Sequence, residues 1–232
     1  MRKAMKTLFV AAVLVALTAV LAACNATGGK AEYYADYSAA IAAGLDTENF
    51  YIKYSEASAP DVTYKLNYYV EDGLIRAQYD RETRGTVSTA HEYIYFGHAL
   101  PAGIKESEAA DADRVLKIFR YDLPAEDASV NDFFETEEIS GLLPETFLSG
   151  LDLAEENIVE IPGVPFASVR GEVTTFSFAV SNASGAYSEY TGEDNYLIVR
   201  SIQGRVNKIT DSRGTFTIYF DYAGPNISMP AF

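Results

Sequence analysis

Tryptophan is absent from this chain, cysteine occurs once and histidine twice among 232 residues. A single cysteine excludes an intramolecular disulfide framework and any zinc or iron–sulfur centre built on several thiolates. Basic residues are also scarce: 18 Lys and Arg face 33 Asp and Glu, a formal net charge of −15. That balance argues against nucleic acid as a partner, because gripping a phosphate backbone needs a basic surface. No Gly-x-Gly occurs, so the glycines build neither a dinucleotide loop nor a kinase-type phosphate loop. Gly-x-Ser-x-Gly, Ser-x-x-Lys and His-Glu-x-x-His are missing as well. With no nucleophile, base or metal constellation in view, the chain is expected to be non-enzymatic and to carry no cofactor and no metal.

The side chains that could still ligate a metal are thinly placed. His91 and His98 lie seven apart with Glu92 the only close carboxylate, which fits surface or partly packed histidines. A pH-sensitive His91–Glu92 pair is the functional alternative. Asp111-Ala112-Asp113, Glu135 to Glu138, Glu155-Glu156 and Glu193-Asp194 alternate or cluster carboxylates. None sits in a twelve-residue loop with glycine at its sixth place, so they read as solvated faces rather than calcium sites.

What is present is a targeting segment. Arg2, Lys3 and Lys6 precede an uncharged run from Thr7 to Ala23, the order of a secretory signal peptide. The run ends Leu21-Ala22-Ala23-Cys24, which looks like the lipobox of a bacterial lipoprotein. There the thiol of Cys24 takes a diacylglyceryl group, and cleavage leaves it as the acylated N-terminus, extended in turn by a further fatty acid such as palmitate. The run is at the lower limit of the roughly 17–25 residues a spanning helix needs. Two or three acyl chains anchor stably where one does not. Residues 1–23 are therefore expected to be the signal, residues 24–30 an acylated end with a flexible tether, and residues 31–232 one domain outside the cytoplasm. Losing the signal leaves 15 basic against 33 acidic residues, a net −18. Such a charge keeps a surface solvated beside an anionic membrane.

Hydrophobic residues at 48% and charged residues at 22% suit a globular core and exclude wholesale disorder. Tyr34, Tyr37, Ile41 and Leu45 recur every three to four residues, an amphipathic helix over Glu32 to Leu45. From Phe50 the period becomes two. Tyr64, Leu66, Tyr68 and Val70 alternate with polar neighbours, Asp72-Gly73 marks a tight turn, and Leu74 to Asp80 returns. His91 to Phe96 and Val115 to Tyr121 predict further strands. Ser129 predicts a helix cap before Val130, Phe133 and Phe134, and Pro144 starts a second short helix. Val173 to Val180, Tyr196 to Ile202, Arg205 to Thr210 and Phe216 to Tyr222 form a closing meander, with Gly185, Gly204 and Gly214 between them. The fold class is α+β, with eight to ten antiparallel strands and two or three short helices.

That order, with Tyr196-Leu-Ile-Val-Arg200, Gly204-Arg205-Val206-Asn-Lys-Ile209, Phe216-Thr-Ile-Tyr-Phe-Asp-Tyr222 and Asn226-Ile227-Ser228-Met229-Pro230, resembles the outer-membrane lipoprotein carrier superfamily. The superfamily includes the mycobacterial glycolipid-binding lipoproteins. The resemblance implies a curved β half-barrel whose concave apolar face is covered by helices and holds acyl chains. It carries over no individual residue, because the family shares a shape and not a fixed triad. Cys24 would make this chain resemble the anchored members more than the soluble carriers.

A sheet with large apolar residues on one face must cover them, and incomplete cover leaves a cavity. Leu66, Tyr68, Phe176, Phe178, Phe216, Ile218 and Phe220 are the candidates for lining one, with ordinary core packing as the competing reading. The expected ligand is a lipid, lipoprotein or other amphiphile. The alternative is a surface recognition protein contacting a protein or the cell wall through Tyr33, Tyr34, Tyr69, Tyr187 and Tyr190.

Overall fold

The computed structural model describes residues 25–47, 49–71, 74–97, 109–111, 114–121, 137–181 and 187–222. The signal segment with Cys24, the Asp72-Gly73 turn, His98, the Ser129 helix, Gly185 and Asn226 to Pro230 lie outside the described residues. The first half contains β1 (Asn25–Gly28), β2 (Phe50–Glu56), β3 (Val62–Glu71), β4 (Leu74–Arg84), β5 (Thr89–Gly97), β6 (Ala109–Asp111) and β7 (Arg114–Tyr121). The second half contains β8 (Ile158–Val159), β9 (Ala167–Arg170), β10 (Val173–Val180), β11 (Leu197–Ile202), β12 (Arg205–Asp211) and β13 (Phe216–Asp221). Helices are α1 (Lys30–Leu45), α2 (Glu137–Ser140) and α3 (Pro144–Leu148).

All thirteen strands join one open sheet in the order β1-β9-β10-β11-β12-β13-β2-β3-β4-β5-β7-β6, with β8 on β10. The short edge strands account for the excess over the eight to ten expected, since runs of two to four residues leave almost no periodicity to read. Pairing is antiparallel with one exception among the described residues: β7 runs parallel to β5. The reason is topological. β6 and β7 form a hairpin closed at Asp111 opposite Arg114, and β7 inserts between β6 and β5. Alternation reports which face a residue takes, not which way its strand runs.

The two clearest hairpins follow turn chemistry. β3 and β4 pair in unbroken register from Val62 opposite Thr83 to Glu71 opposite Leu74, leaving a two-residue connection. β11 and β12 close at Ile202 opposite Arg205. Their connecting residues Gln203 and Gly204 have φ of 51° and 76°, the left-handed pair that matches strand twist.

The segment expected to be a tether is structured. Asn25 to Gly28 pair with Arg170 to Ala167, and Lys30 already begins α1. Gly29 offers no side chain to cap the helix, so a distant residue does it. Glu160 Oε1 accepts the Lys30 amide at 2.7 Å, while Lys30 Nζ donates to the carbonyls of Glu155 and Ile158 at 2.9 Å each. The helix buries Tyr37, Ala40, Ile41 and Gly44. Tyr34 and Leu45, read as part of the same stripe, are half-buried against the core. At Gly44 a Cβ would stand 2.7 Å from Leu148 Cδ1, so the missing side chain is what lets α3 approach α1.

Register sets the core. Phe220, Ile52, Leu66, Tyr79 and Ile94 stand side by side across β13, β2, β3, β4 and β5, and every one is buried. The adjacent row runs Phe176, Val199, Ile209, Ile218, Tyr54 and Tyr64. Its first four members are buried, and Tyr54 and Tyr64 are only half-buried.

Candidate functional site

Much of the sheet face is filled. The Tyr37 ring meets Phe176 and Phe178 edge-on at 5.4 and 5.1 Å, and Phe166 completes the cluster. Its hydroxyl donates to the Leu151 carbonyl at 2.5 Å. Leu66, Phe176, Phe178 and Phe220 are at most 1% exposed, so these four of the expected lining residues are core. Tyr68 is half-buried and stacks on Phe50 at 5.2 Å. Phe216 and Ile218 line the main cavity, and the buried Phe220 borders a further hollow described below.

That cavity, of about 460 Å³, lies where the second row loses its cover. It falls within the roughly 300–1,000 Å³ usual for small-molecule sites. Phe147 of α3 forms one wall, 5.7 Å from the Tyr54 ring of β2. Tyr187 and Tyr190 form another, packing on Phe216 at 6.3 and 5.9 Å. Thr215, an exposed member of the lining, is fixed by Asp211, a buried carboxylate that accepts its amide at 2.7 Å and its hydroxyl at 2.8 Å. A smaller cavity of about 340 Å³ shares the Tyr54–Glu56 wall and reaches Tyr64 and Leu142. A further hollow of about 460 Å³ is lined by Arg205, Asn207 and Asp221 together with Ile202, Phe220 and Tyr222, and its charged groups suit an acyl chain less well than the main cavity does.

The rim is acidic. Glu56 and Glu189 are exposed at the mouth, and among the described residues no Lys or Arg lines the main cavity. The Tyr54 hydroxyl donates to Glu56, and Ser58 Oγ donates to the other Glu56 oxygen at 2.8 Å. These two donors hold the Glu56 carboxyl below its ordinary pKa of 4.5, Tyr54 contributing most. Burial, then the bond to Glu56, pushes the Tyr54 hydroxyl well above its usual 10.0. Burial does the same to Tyr187, whose hydroxyl is buried without a hydrogen-bond partner among the described residues.

Tyr187 and Tyr190 are 6% and 3% exposed, which corrects their reading as surface contact residues. Tyr34 is half-buried with its hydroxyl on the Leu153 carbonyl at 2.9 Å. Tyr54 was not among the expected site residues; in β2 it continues the Phe176–Ile218 row at the point where the cover ends. Phe147 falls in the short helix that Pro144 opens, and local spacing does not show that it faces a cavity.

The opposite face of β3, β4 and β5 carries a polar cluster. Lys65 Nζ contacts Asp80 at 3.1 Å and Glu82 at 2.5 Å, and His91 Nδ1 lies 3.0 Å from Asp80. Asp80, Glu82 and His91 offer ligand atoms within 4.8 Å of one another, yet the Lys65 ammonium already sits on both carboxylates. The histidine thus pairs with Asp80, and Glu92 faces Arg81 at 3.9 Å rather than His91. Burial lowers the Lys65 pKa, but the two carboxylates outweigh it and the net shift is upward. The bond to Lys65 lowers Glu82.

Among the described residues, no helix is long and apolar enough to cross a membrane. No protein-family model matches the chain, and comparison with curated proteins found no match.

Proposed function

We propose that this chain is a lipoprotein of the cell envelope, acylated at Cys24 and held outside the cytoplasm by that anchor, which binds a lipid or other amphiphile without chemical conversion. In this reading the sheet is the half-barrel of the lipoprotein carrier superfamily, and α1 and α3 cover part of its concave face. The bound chain occupies the gap they leave. The observation that carries the reading is the cavity bounded by Phe147, Tyr187, Phe216 and Ile218, an apolar hollow beside a face otherwise closed by packed rings. The lipobox-like Leu21-Ala22-Ala23-Cys24 supports the anchor.

The test is native mass spectrometry of residues 25–232 purified from a bacterial periplasm, followed by organic extraction. A mass excess that extracts as lipid supports binding. A clean apo mass that stays unchanged after incubation with lipid vesicles counts against it. For the anchor, Cys24→Ala should abolish incorporation of labelled palmitate and release from membranes by lipase digestion of the diacylglyceryl group should fail to apply. Labelling that persists in Cys24→Ala would remove the lipobox from the argument.

A further inference from the structure

The walls of the cavity differ sharply from its mouth. Inside, the lining is rich in aromatic rings: Tyr54 and Phe147 packed together, and Tyr187 and Tyr190 packed on Phe216. At the mouth stand two carboxylates, Glu56 and Glu189, with no basic residue in the lining among the described residues. Glu56 is held ready as an anion, since Tyr54 and Ser58 both donate to it. The smaller neighbouring cavity also opens on Glu56, so the same carboxylate serves both hollows.

An anionic head at this mouth would meet two carboxylates and, among the described residues, no cation. A cation would meet opposite charge and the negative faces of aromatic rings, whose attraction grows as water is excluded. Resting on the amphiphile reading above, we propose that the ligand carries a cationic head, an ammonium or quaternary ammonium group seated between Glu56 and Glu189, with its apolar chain against Phe147 and Phe216. This selects one chemical class among amphiphiles and excludes fatty acids and lipids with a purely anionic head.

The experiment titrates residues 25–232, which contain every described strand and helix, with three detergents of equal chain length below their micellar concentrations. Dodecyltrimethylammonium, dodecyl sulfate and dodecyl maltoside supply a cationic, an anionic and a neutral head. Working at about 0.15 M salt screens the general attraction of an acidic protein for cations beyond about 8 Å. A control variant, Glu155→Gln with Glu156→Gln, removes two exposed charges away from the cavity. The expected result is dodecyltrimethylammonium binding about tenfold or more tightly than the neutral detergent, and dodecyl sulfate more weakly than either. Glu56→Gln with Glu189→Gln should abolish that preference, and the control should keep it. Binding of all three without preference, or a preference lost equally in the control, would overturn the cationic head and leave the amphiphile reading standing. Binding of none would overturn both.

Discussion

Replacing Tyr37 separates what its hydroxyl contributes from what its ring contributes. The side chain is 1% exposed, and its ring is wedged between α1 and the sheet against Phe166, Phe176 and Phe178. Its hydroxyl donates to the Leu151 carbonyl, which also accepts the Leu153 amide at 2.8 Å. Tyr37→Phe therefore removes one hydrogen bond without orphaning that carbonyl, and the cost should be about 1 kcal/mol. Tyr37→Ala opens a hole among three rings and should cost about 4–5 kcal/mol, the upper range for aromatic truncation. Urea unfolding of residues 25–232, followed by circular dichroism, measures both. Alkaline titration adds a sign. Burial holds the folded Tyr37 pKa well above 10.0, so its contribution is full below about pH 10 and is lost as pH rises toward the folded value. Tyr37→Phe removes that loss, and its deficit should shrink above pH 10. If the two variants fall within about 0.5 kcal/mol of each other, the ring is not in a closed core, and the division into a filled face and an open cavity fails.

Lys65→Met should destabilise by about 3 kcal/mol, because Asp80, 6% exposed, then keeps only His91 opposite it; a loss under about 1 kcal/mol by urea unfolding would show that the cluster is solvated. Tyr54→Phe removes the stronger of the two donors on Glu56, so the Glu56 carboxyl should titrate closer to its ordinary 4.5 in a pH series of NMR spectra, and an unchanged titration would deny that bond. Gly44→Val should cost about 1–3 kcal/mol in thermal unfolding, since the added methyls meet a Leu148 with no room to retreat; a neutral result would show α3 free to shift. Gln203→Asn should raise stability by about 0.5 kcal/mol, because asparagine tolerates φ of 51° better than glutamine, and a loss would mean that the Gln203 amide bond to Glu172 matters more.

Face assignment was legible because period-two alternation has a direct physical cause. Val173–Val180 has the expected bounds, and β3, β11, β12 and β13 fall within a few residues of theirs. Pro144 opens α3, as its missing amide allows. Direction and partner were not legible, and β7 shows why: its alternation is the same whether it runs with β5 or against it. The start of α1 was hidden for a different reason, because its cap is a carboxylate 130 residues away in sequence.

The sequence by itself determined where apolar residues gather, which of them share a face, the acidic balance and the lipobox-like end at Cys24. Those properties depend on residue type and near-neighbour spacing. Tertiary structure alone decided which apolar residues are core and which line a cavity. Ile218 and Phe220 are two apart on one strand and share a face, yet Ile218 lines the aromatic cavity with Tyr54 and Phe147, while Phe220 stands in the buried row with Ile52 and Leu66 and borders a different hollow. The difference comes from what lies above them, since cover depends on where α1, α3 and the Tyr187–Tyr190 segment pack, and no local pattern encodes that.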